Sequence, residues 1–175
     1  SGNNIFLLHS RLNIIDLDKR SDQPFSIGNH TIIFNGEIYN YIELRNGLMK
    51  KNVVFQTASD TEVLLQYYIH YGKECVHFFE GMWSFAIYDK TTGELFLSRD
   101  RFAERPLYYH VDSDGVYFAS EIKFIRSLSG KTFPVNEQRL YRYLVNGYKA
   151  LFTREDSFYK GINEVPYATY MTVAQ

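Results

Sequence analysis

Thr31-Ile32-Ile33-Phe34-Asn35-Gly36-Glu37-Ile38-Tyr39-Asn40 is the stretch from which the rest of the chain can be read. An apolar run stops at Asn35-Gly36-Glu37. Directly after it, the spacing of Tyr41, Leu44, Leu48 and Met49 predicts a helix over 40–51. The pattern predicts a strand-to-helix corner that carries a side-chain amide, a glycine N–H and a carboxylate. Preorganised donors of this kind polarise a carbonyl, and glycine lets a ligand come close to the backbone. Asn-Gly is also the commonest tight-turn dipeptide, so the corner taken alone reads first as a structural turn.

Outward from this corner, residues 5–8, 12–17 and 31–34 read as short strands, and 18–29, with Pro24 and Gly28, as a loop. Ser59-Asp60-Thr61-Glu62 matches a capping box, and Val63, Leu64, Tyr67 and Tyr68 continue it as a helix. Residues 75–79 read as a further short helix. The period then changes to two. Strands are predicted over 83–88, 94–98, 107–111 and 116–119, joined by turns at 89–93 and 112–115. Helices follow over 121–128 and 137–145, and a last strand over 169–173; 161–166 reads as the approach to a further domain. Turns this short make antiparallel pairs. The expected class is α+β, a mostly antiparallel sheet system covered by helices.

Composition bounds the function. The chain has 175 residues, 45% hydrophobic and 17% aromatic with 15 Tyr and 14 Phe, enough for one domain with a sizeable core. Nineteen Lys and Arg balance twenty Asp and Glu, which argues for neither nucleic acid nor a membrane surface as partner. No apolar run approaches the ~20 residues that span a bilayer. The single Cys75 excludes an intrachain disulfide framework and fits a reducing compartment. It lies in an apolar, aromatic stretch and reads as a buried structural thiol. His9, His30, His70, His77 and His110 have no metal-ligand spacing, so no metal site is expected.

Arg11 could grip a carboxylate through two parallel bonds, or be a surface arginine paired to Asp16. Asp60, in the first turn of a capped helix, could hold an ammonium group or serve the helix alone. Taken together, Arg11, Asp60 and the Asn35-Gly36 corner describe a site for a free amino acid with a reactive side-chain carbonyl. Arg99-Asp100-Arg101 reads as a local ion-pair network that holds a loop. No residue resembles the nucleophile that such a carbonyl site serves.

Asn35-Gly36-Glu37-Ile38-Tyr39-Asn40 resembles the corresponding run of glutamine-hydrolysing asparagine synthetases. So do His9-Ser10-Arg11-Leu12-Asn13-Ile14-Ile15-Asp16, Ser59-Asp60-Thr61-Glu62-Val63-Leu64-Leu65, Gly81-Met82-Trp83-Ser84-Phe85-Ala86, Arg99-Asp100-Arg101-Phe102, Pro106-Leu107-Tyr108-Tyr109 and Phe118-Ala119-Ser120-Glu121-Ile122-Lys123. Each block is weak alone, but the ordered set is specific. The resemblance is to the glutaminase domain at the N-terminus of that family. It implies a four-layer αββα fold of the N-terminal-nucleophile hydrolases. It implies that Asn35 and Gly36 form an oxyanion hole, that Arg11 binds the α-carboxylate of L-glutamine, and that Asp60 and Glu37 hold its α-ammonium.

The family's first segment, which begins with the nucleophilic cysteine, is absent from these residues. Residues 1–175 are therefore expected to be a glutaminase domain truncated at its N-terminus and inactive alone. A strand slot beside 31–34, inside a sheet and not at its edge, is expected to lack its occupant. An ATP- and Mg-dependent synthetase domain is expected downstream, no cofactor in this domain, a cytoplasmic location, and a homodimer among the implied assemblies. The loop reads Ala103-Glu104-Arg105 where the family has glycine and a hydrophobic residue. The alternative is a scaffold domain without the cysteine, as in β-lactam synthetase.

Overall fold

The computed structural model describes residues 5–10, 15, 16, 18–148 and 156–174. Among these residues eight strands are found: β1 (Phe25–Ile27), β2 (His30–Ile38), β3 (Gly81–Asp89), β4 (Glu94–Arg99), β5 (Tyr108–Asp112), β6 (Gly115–Ala119), β7 (Asn163–Glu164) and β8 (Tyr170–Val173). Four α-helices accompany them among the described residues: α1 (Tyr41–Met49), α2 (Asp60–Tyr71), α3 (Ile122–Ser129) and α4 (Glu137–Asn146). One sheet runs β1-β2-β3-β4-β8 and the other β6-β5-β7. Every pair is antiparallel, as the short turns predict.

Alternation along the strands builds the layers. Ile32, Phe34 and Ile38 of β2, with Phe85, Ile87 and Phe96, pack against Leu44 and Leu48 of α1 and Val63 and Leu64 of α2. The opposite face supplies Ile33, Ala86, Tyr88, Leu95 and Leu97, which meet Tyr109 and Phe118 of the second sheet. Helix α3 packs on β5 and β6 with Ile125 fully buried, so the order is helix, sheet, sheet, helix. The expected α+β, αββα architecture is present.

Several local expectations are corrected. Residues 5–8 form no strand, and most of 12–17 lies outside the described residues. The expected loop over 18–29 contains a 3-10 turn (Lys19–Ser21) and strand β1. Residues 75–77 end a 3-10 segment (Gly72–His77), and 78 and 79 lie beyond it. The segment 161–166 is part of this domain: Ile162 and Val165 are each 1% exposed, and β7 pairs with β5. Two-residue β7 carries no alternation to read.

Among the described residues, Asp100 pairs with no arginine side chain. Its fully buried carboxylate accepts the backbone N–H groups of Trp83, Phe102, Glu104 and Arg105 at 2.8–3.2 Å. Arg99 instead reaches Glu164 and the carbonyls of Val165, Arg105 and Ala103, and Arg101 the carbonyl of Phe79. The role is structural as expected, but backbone donors close to Asp100 outcompete the two arginines.

Within this loop Ala103 sits at φ 56°, a region that costs an L-residue about 1–2 kcal/mol. Ala103→Gly is expected to raise stability by about 0.5–1 kcal/mol, the gain being trimmed by glycine's unfolded-state entropy. An unchanged or lowered urea midpoint would refute it.

Candidate active site

The expected corner at Asn35-Gly36-Glu37 is absent, and so is the tight turn. All three residues lie inside β2, which stays in register with β3 from His30↔Asp89 to Ile38↔Gly81. Helix α1 begins only after Asn40, whose side chain makes no cap bond to it. The strand continues because Gly36, at φ 154°, has no Cβ. A Cβ there would lie 2.1 Å from the Met82 carbonyl oxygen and 2.8 Å from Trp83 Cα. Gly81 on the facing strand allows the same close approach: a Cβ there would lie 2.1 Å from the Glu37 carbonyl oxygen.

The register decides where the Gly36 N–H points. Gly36 stands opposite Trp83. The Trp83 N–H donates to Asp100 Oδ2 at 3.2 Å, and its carbonyl accepts the Asp100 N–H at 2.9 Å. Both backbone groups of Trp83 face away from β2, so the Gly36 N–H faces the outer edge of β2. Strand β1 covers that edge only along His30–Ile32. Beyond it, side chains take the outward N–H groups: Phe34 donates to Gln23 Oε1 at 2.5 Å, and Ile38 to Asp60 Oδ2 at 3.2 Å. The Gly36 N–H is left between them. The expected gap inside a sheet is not found: the five strands follow one another without interruption, and what stays uncovered by a strand among the described residues is an edge, the 34–38 half of β2, which side chains meet.

Asn35, pointing to the other face with Ile33 and Glu37, donates from Nδ2 to Ser120 Oγ at 3.3 Å. Its amide and the Gly36 N–H are thus neighbours on one strand. Asp60 opens α2 behind Ser59, whose hydroxyl accepts the Glu62 N–H at 3.2 Å. The capping box is only half made. The Glu62 carboxylate accepts from Gln56 N, Thr57 N and Thr57 Oγ1, which fixes the loop before Asp60 instead of reaching back to Ser59.

Asp60 is 6% exposed. Burial pushes its carboxyl up to about 6, against the bond from Ile38 N–H, and the Glu37 carboxylate acts in the same direction as burial. The two carboxylates repel each other, so a cation beside buried Asp60 would be favoured. Arg11 lies outside the described residues. Asp16 does not: it accepts from Ser21 Oγ and Ala58 N, each at 2.7 Å, tying the segment after Arg11 to the loop before Asp60.

Sequence reasoning missed Gln23, which spans from Phe34 N–H to Thr61 Oγ1 at 3.4 Å, and Ser120. Neither contact has a local signature, since the partners are 11, 38 and 85 positions away. Cys75 is fully buried, and burial pushes its thiol up to about 12, which fits the structural reading and leaves no thiolate there.

A family profile described as a glutamine amidotransferase domain matches residues 1–175. The chain belongs to this glutamine amidotransferase family. It is 45% identical over 136 residues to asparagine synthetase [glutamine-hydrolyzing] 1 of Bacillus subtilis, covering 77% of this chain and 21% of that protein. It is 36% identical over 162 residues to putative asparagine synthetase [glutamine-hydrolyzing] 2 of Methanocaldococcus jannaschii, covering 82% of this chain and 31% of that protein. The chain therefore spans about a fifth to a third of the length of these relatives. Among solved structures, glutamine phosphoribosylpyrophosphate amidotransferase from B. subtilis superposes with a TM-score of 0.60 at 22% identity, covering 87% of this chain and 30% of that one. That likeness concerns the fold, and it agrees with the expected layered α+β architecture. Among the described residues of this amidotransferase domain, no helix is long and apolar enough to cross a membrane.

Proposed function

We propose that this domain releases ammonia from the side-chain amide of L-glutamine and supplies it to a synthetase domain of the same protein. There an ATP- and Mg-dependent ligase reaction amidates a carboxylate such as aspartate, in the cytoplasm. Asn35 Nδ2 and the Gly36 N–H receive the amide carbonyl as it gains negative charge. Asp60 and Glu37 hold the α-ammonium, and Arg11 the α-carboxylate. The attacking thiolate is assigned, by family resemblance, to an N-terminal cysteine outside these residues.

One observation carries this reading. The β2 edge offers the Gly36 N–H between side-chain-held neighbours, next to the Asn35 amide and within one residue pair of a buried carboxylate. That is the donor pair of an oxyanion hole beside a cation-favouring group. ATP and Mg belong to the synthetase reaction, and no residue of this chain is assigned to them.

The reading is tested by calorimetry of L-glutamine binding. Arg11→Ala is expected to abolish binding, at a cost of ~2–5 kcal/mol by analogy with buried interfacial charge pairs. Arg11→Lys is expected to do nearly as badly, since a point charge replaces a bidentate fork. Unchanged affinity in a folded Arg11→Ala variant would return Arg11 to a structural role.

A further inference from the structure

We propose that Ser120 is a positioning residue for the Asn35 amide, the hydroxyl that holds one arm of the carbonyl-polarising pair in place from the opposite sheet. This deepens the glutaminase reading and rests on it. Ser120 directly follows β6, whose last residue Ala119 is in register with Tyr108 of β5. Tyr108 in turn pairs with Glu164 of β7, and Glu164 is held by Arg99 at 3.0 Å. Ser120 is therefore carried by the three-stranded sheet, while Asn35 belongs to the five-stranded one. Their 3.3 Å bond joins the two across 85 positions of sequence.

The usual duty of a serine between a strand and a helix is to cap the helix. Ser120 does not do so: the cap position of α3 is Glu121, and it makes no side-chain cap bond. Among the described residues, the Asn35 bond is the one hydrogen bond of the Ser120 side chain. The chemistry of the amide explains what that bond achieves. Asn35 Nδ2 has two hydrogens. The terminal torsion of an asparagine is broad and roughly two-fold, so an unheld amide swings and flips. With one hydrogen given to Ser120 Oγ, the plane of the amide is set and the second hydrogen has a fixed direction. Donors stabilise developing charge when they need no reorganisation at the moment of reaction, and Ser120 supplies that condition for the side-chain donor. The backbone donor Gly36 needs no such help, since the β2–β3 ladder already fixes it.

The experiment is titration calorimetry of residues 1–175 with L-glutamine and with L-norleucine, which has a side chain of the same length and no carbonyl. It is accompanied by the 15N spectrum of the Asn35 side-chain amide. Ser120→Ala is expected to weaken L-glutamine by about 5-fold, the scale of one hydrogen bond, to leave L-norleucine unchanged and to shift both Asn35 Nδ2 proton resonances. Ser120→Thr, which keeps the hydroxyl, is expected to restore L-glutamine affinity. Equal loss of both ligands with a lowered melting temperature would make Ser120 a structural prop and overturn the proposal. Unchanged glutamine affinity in Ser120→Ala would overturn it while leaving the functional reading intact. A wild-type chain that binds no L-glutamine would overturn the functional reading and this proposal together. Asn35 resonances that do not move in Ser120→Ala would show the contact itself to be wrong.

Discussion

Gly36→Ala is expected to cost about 3–5 kcal/mol of stability and to remove L-glutamine binding. The added methyl would lie 2.1 Å from the Met82 carbonyl oxygen, 2.8 Å from Trp83 Cα and 2.9 Å from the Phe34 ring. Two of these are backbone atoms of the middle strand, whose other side is paired to β4. They cannot rotate away as a flexible side chain can. Overpacking of a well-packed region costs about 1–3 kcal/mol. Forcing an alanine to φ 154° adds strain of about 1–3 kcal/mol. Relief requires β2 to move from β3, which displaces the Asn35 amide and the Gly36 N–H together. Urea unfolding and glutamine calorimetry check the two halves of the expectation. A Gly36→Ala chain with wild-type stability would show that the close approach of β2 to β3 is misread.

Asp60→Asn is expected to separate binding from stability, in opposite directions. An asparagine carbonyl can still accept the Ile38 N–H that Asp60 Oδ2 now holds at 3.2 Å. What disappears is a buried negative charge. Burial raises the folded-state value from the ordinary 3.8 to about 6. The folded protein therefore holds this proton more tightly than the unfolded chain. The group's contribution is most favourable below about 4 and is lost as pH rises through about 6. At about 1.4 kcal/mol per unit, the destabilisation at pH 7.5 is on the order of 3 kcal/mol. Asp60→Asn is expected to recover about 1–3 kcal/mol of this at pH 7.5 and nothing at pH 4.

The same substitution removes the charge proposed to hold an ammonium group, so L-glutamine affinity is expected to fall more than about tenfold. In the wild-type chain, glutamine affinity is expected to weaken on acidification below pH 6, as Asp60 takes up its proton. Unfolding at pH 4 and 7.5 with calorimetry at pH 5 and 7.5 checks both. A less stable Asp60→Asn chain at pH 7.5 would refute the stability half, and unchanged glutamine affinity the binding half.

The sequence by itself determined the elements whose signals are local. The period-two runs placed β3 to β6 and their turns to within a residue or two. Ser59 was legible as the cap of α2, and the apolar spacing after Asn40 as α1. The ordered motifs identified the family, and with it the αββα layers. Residue type alone grouped Asn35, Gly36 and Asp60, and the structure sets Asp60 at the β2 edge two residues from Gly36. What failed were features whose partners are distant. Asn35-Gly36 reads as a corner because apolar residues stop there. Only the facing backbone of Met82 and Trp83, some 46 residues on, shows why a strand runs through it.

Glu62 carries the capping-box pattern, yet its carboxylate is drawn to the N–H groups of Gln56 and Thr57, donors that exist only once the preceding loop has closed. Asp100 lies between two arginines in sequence and is claimed by four backbone donors in space. Tertiary structure alone decided that the Gly36 N–H faces an edge held by Gln23 and Asp60, and that Ser120 reaches Asn35 from the other sheet. Residue type says which groups can donate and accept. Their directions are set by strand register and layer packing, and these depend on contacts no local window contains.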